Sequence, residues 1–250
     1  MNSEEVGRAA SLLADADRAH GHIAALPDGL HPGSPGEAMT IQARVVALSG
    51  ETVAGWKVAT TPDDVSTWGA IYGRDVLASP AKLEAGRMPM RGVEGEVAFR
   101  FVHDLPARPA AYSRQEIEAA LTAFPAIEIV DSRFESYAET PAPDRLADRM
   151  SNGGIVIGEA EAGADKLDLS QLHVTLVCDG KTLLDQVGGH SRGDPLLPAI
   201  EFIRARQEQV TFRAGQFITA GTLTGMIQGT PGQRYVVTFD GLGSVELTFG

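Results

Sequence analysis

Cysteine occurs once in the 250 residues, at Cys178. That excludes a disulfide framework within the chain and a thiolate-only metal cluster, and it fits a reducing compartment such as the cytoplasm. Basic residues are scarce as well: 21 Lys and Arg stand against 33 Asp and Glu, a formal net charge of −12. A surface of that sign has no field to draw in a phosphate backbone or an anionic lipid, so neither nucleic acid nor membrane is an expected partner. No uncharged apolar run approaches the ~18 residues of a membrane span. The first twenty residues, MNSEEVGRAASLLADADRAH, are acidic where a secretory signal would be basic and then apolar. Internal repeats and low-complexity tracts are missing too. What is present is 43% hydrophobic residues, enough for one large domain with a substantial core. The expectation is a globular cytoplasmic protein.

The 28 glycines and 14 prolines are spread along the chain, marking many turns rather than one linker and favouring a strand-rich body. In front of it, Val6, Ala9, Leu12, Leu13 and Ala16 recur at helical spacing, predicting a helix over the first 25 residues up to Leu26-Pro27-Asp28-Gly29. Ser34-Pro35-Gly36-Glu37 is a capping box with proline at the first helical position, opening a second helix that Gly50 closes. From Val53 the pattern turns to alternating and β-branched. Strands are predicted at 53–61, 70–72, 93–102, 126–134, 154–157 and 172–178, after Thr182, and in the tail, with Gly241-Leu242-Gly243 as a hairpin tip. A capping box at Ser113-Arg114-Gln115-Glu116 starts a helix expected to end before Pro125, and another helix is predicted from Pro195 to about Gln207. The fold class is α+β: an N-terminal helical region, 1–50, and a mixed β catalytic domain, 51–250.

Three carboxylates stand out. Val93-Glu94-Gly95-Glu96-Val97 puts two glutamates at i and i+2 of a strand, on one face and roughly 6–7 Å apart at the backbone. Like charges that close raise each other's pKa unless a cation lies between them. Ala126-Ile127-Glu128-Ile129-Val130 embeds a third glutamate in an apolar strand, where an isolated charge costs several kcal/mol unless paired or metal-bound. Two readings are open: a solvated acidic strand plus a structural pair of Glu128 with Lys57 or Arg133, or a three-carboxylate site for a hard divalent ion. Lys57, mid-strand in Trp56-Lys57-Val58, either snorkels to solvent or holds its charge beside that site, where it would stabilise an enolate or carboxylate.

Gly55-Trp56-Lys57-Val58, Val93-Glu94-Gly95-Glu96-Val97-Ala98-Phe99 and Pro125-Ala126-Ile127-Glu128-Ile129-Val130-Asp131-Ser132-Arg133 carry a family resemblance. It continues through Ala147-Asp148-Arg149-Met150-Ser151-Asn152-Gly153-Gly154, Thr219-Ala220-Gly221-Thr222-Leu223-Thr224-Gly225 and Gly241-Leu242-Gly243-Ser244-Val245. In that order the blocks resemble the 2-keto-4-pentenoate hydratase and 4-oxalocrotonate decarboxylase group of the fumarylacetoacetate hydrolase superfamily, from about residue 36 to the C-terminus. The resemblance implies that group's β-rich roll and a homo-oligomer, with a related family subunit as a further partner. It also implies Mg²⁺ or Mn²⁺ held by Glu94, Glu96 and Glu128, and Lys57 as the catalytic positive group. Arg133, Ser151, Thr222 and Leu223 would bind a small 2-oxo acid. The implied activity is a lyase of aromatic-compound catabolism, foremost hydration of a 2-hydroxy-dienoate through a metal-stabilised dienolate, with decarboxylation as the neighbouring alternative.

The chain departs from the group's pattern in places. Thr67, in Val65-Ser66-Thr67-Trp68-Gly69, stands where hydratases of the group carry an acid, with Asp63 and Asp64 nearby; Asp148-Arg149 replaces an Asp-Asn pair, and Gly193-Asp194-Pro195 replaces Gly-His-Pro. None of the six histidines is followed three residues later by Glu, the segment that C–C bond hydrolases of the superfamily use, which disfavours an acylpyruvate-type hydrolase. Thr67 also keeps open a catalytically idle keto-acid-binding partner subunit.

Overall fold

A computed structural model describes residues 1–60, 65–84 and 86–250; Asp63 and Asp64 lie outside the described residues. Helix α1 (Ser3–Ala19) starts on an Asn2–Glu5 capping box, and helix α2 (Pro35–Ser49) starts on the Ser34 hydroxyl with Pro35 in its first turn. Helix α1 stops short of the predicted 25 residues because His20 turns left-handed (φ 49°) and its amide closes onto Ala16 and Asp17. The two helices bury Ala9, Ala10, Leu13, Ile41 and Val45 against each other and against Phe134, Leu146 and Ala147, forming a small apolar cluster of their own.

The rest is two curled sheets. The larger contains β1 (Val53–Thr60), β2 (Ser66–Tyr72), β3 (Val76–Ala78), β5 (Gly92–Phe101), β6 (Leu121–Val130), β7 (Asn152–Ile157) and β10 (Phe217–Gln228), in the order β2-β1-β10-β5-β6-β7-β3. The smaller contains β4 (Ala81–Leu83), β8 (His173–Cys178), β9 (Lys181–Val187), β11 (Arg234–Phe239) and β12 (Gly243–Phe249), in the order β4-β12-β11-β8-β9. Helices α3 (Arg114–Ala120), α4 (Ala142–Ala147) and α5 (Leu196–Arg206) connect them. Strand alternation sets the core: Val93, Val97, Phe99, Ile127 and Ile129 point between the sheets to meet Val174, Leu176, Val237, Phe239, Val245 and Leu247. Burying each such side chain contributes about 1.5–3 kcal/mol. The intervening positions of β5 and β6, among them Glu94, Glu96 and Glu128, therefore face the opposite side.

One expected boundary moves. Helix α3 ends at Ala120, not just before Pro125, because Leu121–Phe124 pair with Phe101–Ala98 of β5 and extend β6 backwards. Pro125, which has no amide to donate, lies opposite Val97 within that ladder. Among the described residues, no helix is long and apolar enough to cross a membrane.

Candidate active site and metal centre

The β5–β6 register places Glu94 directly opposite Glu128. Glu96, two residues on, shares their face, and one carboxylate oxygen from each of the three lies within 4.8 Å of the others. Strand β10 runs between β1 and β5, pairing Thr219 with Lys57 on one side and Ala98 on the other. Its register against β5 then breaks between Thr219 and Thr222. In that bulge Gly221 takes φ 108°, a conformation that favours glycine, and its amide donates to Glu96 Oε2 at 3.2 Å. The Thr219 hydroxyl donates to the same oxygen. Lys57 Nζ reaches Glu128 Oε1 at 2.6 Å, and Asn152 Nδ2 donates to that oxygen at 3.0 Å. The Lys57–Glu128 pair expected from the sequence thus exists, inside the three-carboxylate cluster rather than instead of it.

The cluster carries more negative charge than its surroundings balance. Burial, reinforced by the Glu128 charge and opposed by Lys57, pushes Glu94 up to about 7. Burial, with Glu128 and Glu94 adding to it, raises Glu96 well above the usual carboxylate range. Burial alone would lower Lys57, but the facing charges of Glu128, Glu94 and Glu96 outweigh it and hold the ammonium above its ordinary value. Glu128 Oε2, fully buried, has no hydrogen-bond partner among the described residues. Three hard carboxylate groups, one of them with an orphaned oxygen, facing a single ammonium, fit a divalent cation such as Mg²⁺ or Mn²⁺.

The cluster opens into a cavity of about 640 Å³ whose wall includes Lys57, Glu94 and Glu96. Of the other sequence-predicted site residues, Ser151 and Thr222 line this cavity. Ser151 presents a buried hydroxyl without a partner among the described residues, at the end of a turn in which Arg149, Met150 and Ser151 all take positive φ (49°, 53° and 54°). Three successive non-glycine residues in that region store strain that the packing must hold. Gly69 permits it: a Cβ there would lie 2.2 Å from the Arg149 carbonyl oxygen.

Two of the expected substrate-binding residues lie outside the cavity lining. Arg133 does not reach the cavity: its Nε sits 2.5 Å from Asp148 Oδ1, and its other donors go to the carbonyls of Asn152 and Asp148. Every side-chain nitrogen of Arg133 is engaged internally, tying the end of β6 to the Asp148–Asn152 turn. Leu223 is 1% exposed in the inter-sheet core and offers outward only its carbonyl, which accepts from Gln186. The β10 bulge that brings Thr222 to the cavity turns its neighbour inward.

The departures have structural partners. Thr67 lines the cavity, its hydroxyl donating to the Ala59 carbonyl at 3.1 Å. Arg149 is buried, pairing with Asp17 of α1 at 2.7 Å and lying 4.0 Å over the Tyr72 ring. Asp194 caps α5 through the Leu196 amide, away from the cavity. Residues that the sequence alone did not single out are Asn152 and Thr219, both fully buried polar groups within strands, and Arg145, Tyr137 and Met150 in the cavity wall. A buried Asn or Thr within an apolar run was the available signal for the first two.

The architecture is that of the fumarylacetoacetate-hydrolase-like fold. Over 100% of this chain and 99% of the other, it matches the structure of 4-oxalocrotonate decarboxylase from Pseudomonas putida G7 complexed with magnesium and adipate, at TM-score 0.83 and 19% identity. Maleylpyruvate hydrolase from Sphingobium sp. SYK-6, in complex with manganese and pyruvate, matches over 78% of this chain and 69% of its own, at TM-score 0.55 and 16% identity. No family model matches the sequence. Among curated proteins the chain is 28% identical over an alignment of 256 positions to 2-keto-4-pentenoate hydratase 1 of Dechloromonas aromatica, covering 96% of this chain and 95% of that one. It is 28% identical over 144 residues to 4-oxalocrotonate decarboxylase of Pseudomonas putida, covering 56% of this chain and 53% of that one. The resemblance read from the sequence is borne out: the chain is similar over most of its length to 2-keto-4-pentenoate hydratases and over about half of it to a 4-oxalocrotonate decarboxylase.

Proposed function

We propose that the protein is a metal-dependent lyase acting on 2-oxo or 2-hydroxy-dienoic acids, with hydration as its reaction. The observation that carries this reading is the buried Glu94–Glu96–Glu128 cluster, paired with Lys57 and opening into the cavity. Glu94, Glu96 and Glu128 would hold Mg²⁺ or Mn²⁺, which when bound supplies Lewis acidity and a chelation point for the 2-oxo-carboxylate head. Lys57 keeps a full positive charge beside that head, where negative charge develops on the substrate oxygen. Thr219 and the Gly221 amide fix Glu96, Asn152 fixes Glu128, and the Ser151 and Thr222 hydroxyls offer hydrogen bonds to the bound acid. The magnesium and manganese in the decarboxylase and hydrolase structures support the choice of a divalent ion for this chain.

Decarboxylation is the second reading, and Thr67 favours it. Loss of CO₂ through the same stabilised anion does not require the acid that hydratases of the group place at that position, and here the Thr67 hydroxyl is turned onto a backbone carbonyl. The test is incubation of the purified protein and Mg²⁺ with 2-hydroxypenta-2,4-dienoate or 4-oxalocrotonate, following the dienol ultraviolet band. Metal-dependent loss of the first supports hydration; release of CO₂ from the second supports decarboxylation. Oxalate binding without turnover of either points to an idle keto-acid-binding subunit.

A further inference from the structure

The cavity wall contributed by α4 and the loop before it carries a cation that the metal-site chemistry does not use. Arg145, half-buried, lines the cavity together with Tyr137, Pro143, Leu146 and Met150. One of its nitrogens, Nη1, donates to the Tyr137 carbonyl at 3.0 Å, and its Cζ lies 4.8 Å from the centre of the Tyr137 ring. No carboxylate forms an ion pair with it among the described residues, although most arginines of this acidic chain have one, such as Arg133 with Asp148 and Arg149 with Asp17. Its guanidinium is thus held by a stacking ring and one backbone contact, with donors to spare and an apolar surround that strengthens any charge-assisted bond made there. A five-carbon monoacid, with about eight non-hydrogen atoms, would fill only part of a cavity of the size usual for larger ligands. The floor repels anions unless a cation is bound; the α4 wall attracts them.

We propose that Arg145 is a specificity residue that receives a second, distal carboxylate, so that the substrate class is 2-oxo or 2-hydroxy-dienoic dicarboxylic acids. This rests on the reading of the cavity as a metal-chelating 2-oxo-acid site. The head of the substrate binds at the carboxylate cluster and Lys57. The tail lies along Pro143, Leu146 and Met150, and its terminal carboxylate takes the planar donor fork of Arg145.

The test is calorimetric titration of the Mg²⁺-saturated protein with 2-oxoadipate and with 2-oxohexanoate, saturated acids of equal length that differ in the distal carboxylate. Wild type is expected to bind the diacid on the order of tenfold tighter or more. Arg145→Gln should remove that preference while leaving 2-oxohexanoate affinity within about twofold, and Arg145→Lys should keep part of it. Equal binding of the two acids by wild type, or a preference that survives in Arg145→Gln, overturns the role of Arg145 and leaves the 2-oxo-acid reading standing. Arg145→Met, which keeps an aliphatic stem without the charge, provides the same comparison if the glutamine variant is unstable. Mg²⁺ binding with no affinity for either acid overturns both.

Discussion

Two buried charged clusters lie close together in this fold, and they are built on opposite plans. Around Arg133 and Arg149 the charges are matched. Asp148 accepts from Arg133 and Ser132, and Asp17 of α1 receives both Arg149 and Arg74, at 2.7 and 2.5 Å. Around Glu128 they are unmatched: three carboxylates share one ammonium, and Glu128 Oε2 is left without a partner among the described residues. A matched cluster ties elements together, here α1, the strained turn at Arg149–Ser151 and the end of β6. An unmatched one gains stability from an added cation, which makes it the candidate ligand site.

The difference can be broken from either side. Arg133→Met leaves Asp148 buried and unpaired, and should cost about 3–5 kcal/mol in chemical denaturation; a loss below about 1 kcal/mol would show that the matched cluster is not structural. Lys57→Met retains the aliphatic stem and removes the charge from the unmatched cluster. Turnover of whichever acid the wild type consumes should fall on the order of 10²–10³-fold, about 3–4 kcal/mol, with oxalate binding less affected. Full turnover in that variant would reduce Lys57 to a structural partner of Glu128.

Smaller effects sharpen the contrast. Glu94 is raised to about 7 in the folded metal-free protein, first by burial and then by Glu128. Between the ordinary carboxylate value of 4.5 and about 7, the folded state therefore holds a proton that the unfolded chain releases. Stability of the chelator-treated protein should consequently fall as pH rises through that window, on the order of 1 kcal/mol after allowance for its partial exposure. Melting temperatures at pH 5 and 7.5 check this; saturating Mg²⁺ should flatten the slope, and parallel curves with and without metal would contradict the charge imbalance. Smallest of all, Glu96→Gln should leave metal-free stability at pH 7 within about 1 kcal/mol of wild type, because Glu96 is already held towards its neutral form, which an amide resembles.

Much of the site was legible because strand periodicity is. Glu94 and Glu96 had to share a face, and Glu128 in an apolar run had to find a partner. Their convergence was not legible, since it depends on the β5–β6 register, and the sequence between those strands reads as helix up to Pro125 when pairing with Phe101–Ala98 in fact claims Leu121–Phe124 for the sheet. Arg133 and Leu223 lie outside the cavity lining for a related reason: a block of sequence travels as a unit, but alternation and a β-bulge decide which members face the cavity. The helical N-terminus was readable from its caps, except that a left-handed His20 ends α1 early where no glycine announces it.

The central claim is that Glu94, Glu96 and Glu128 together hold one divalent ion. Calorimetric titration of chelator-stripped wild type and Glu96→Gln with Mn²⁺ and Mg²⁺ tests it most directly. The account predicts one ion per chain in wild type and, with one carboxylate removed from a three-carboxylate site, an affinity loss on the order of 100-fold in the variant. Unchanged affinity in Glu96→Gln, or no binding in wild type, would contradict it.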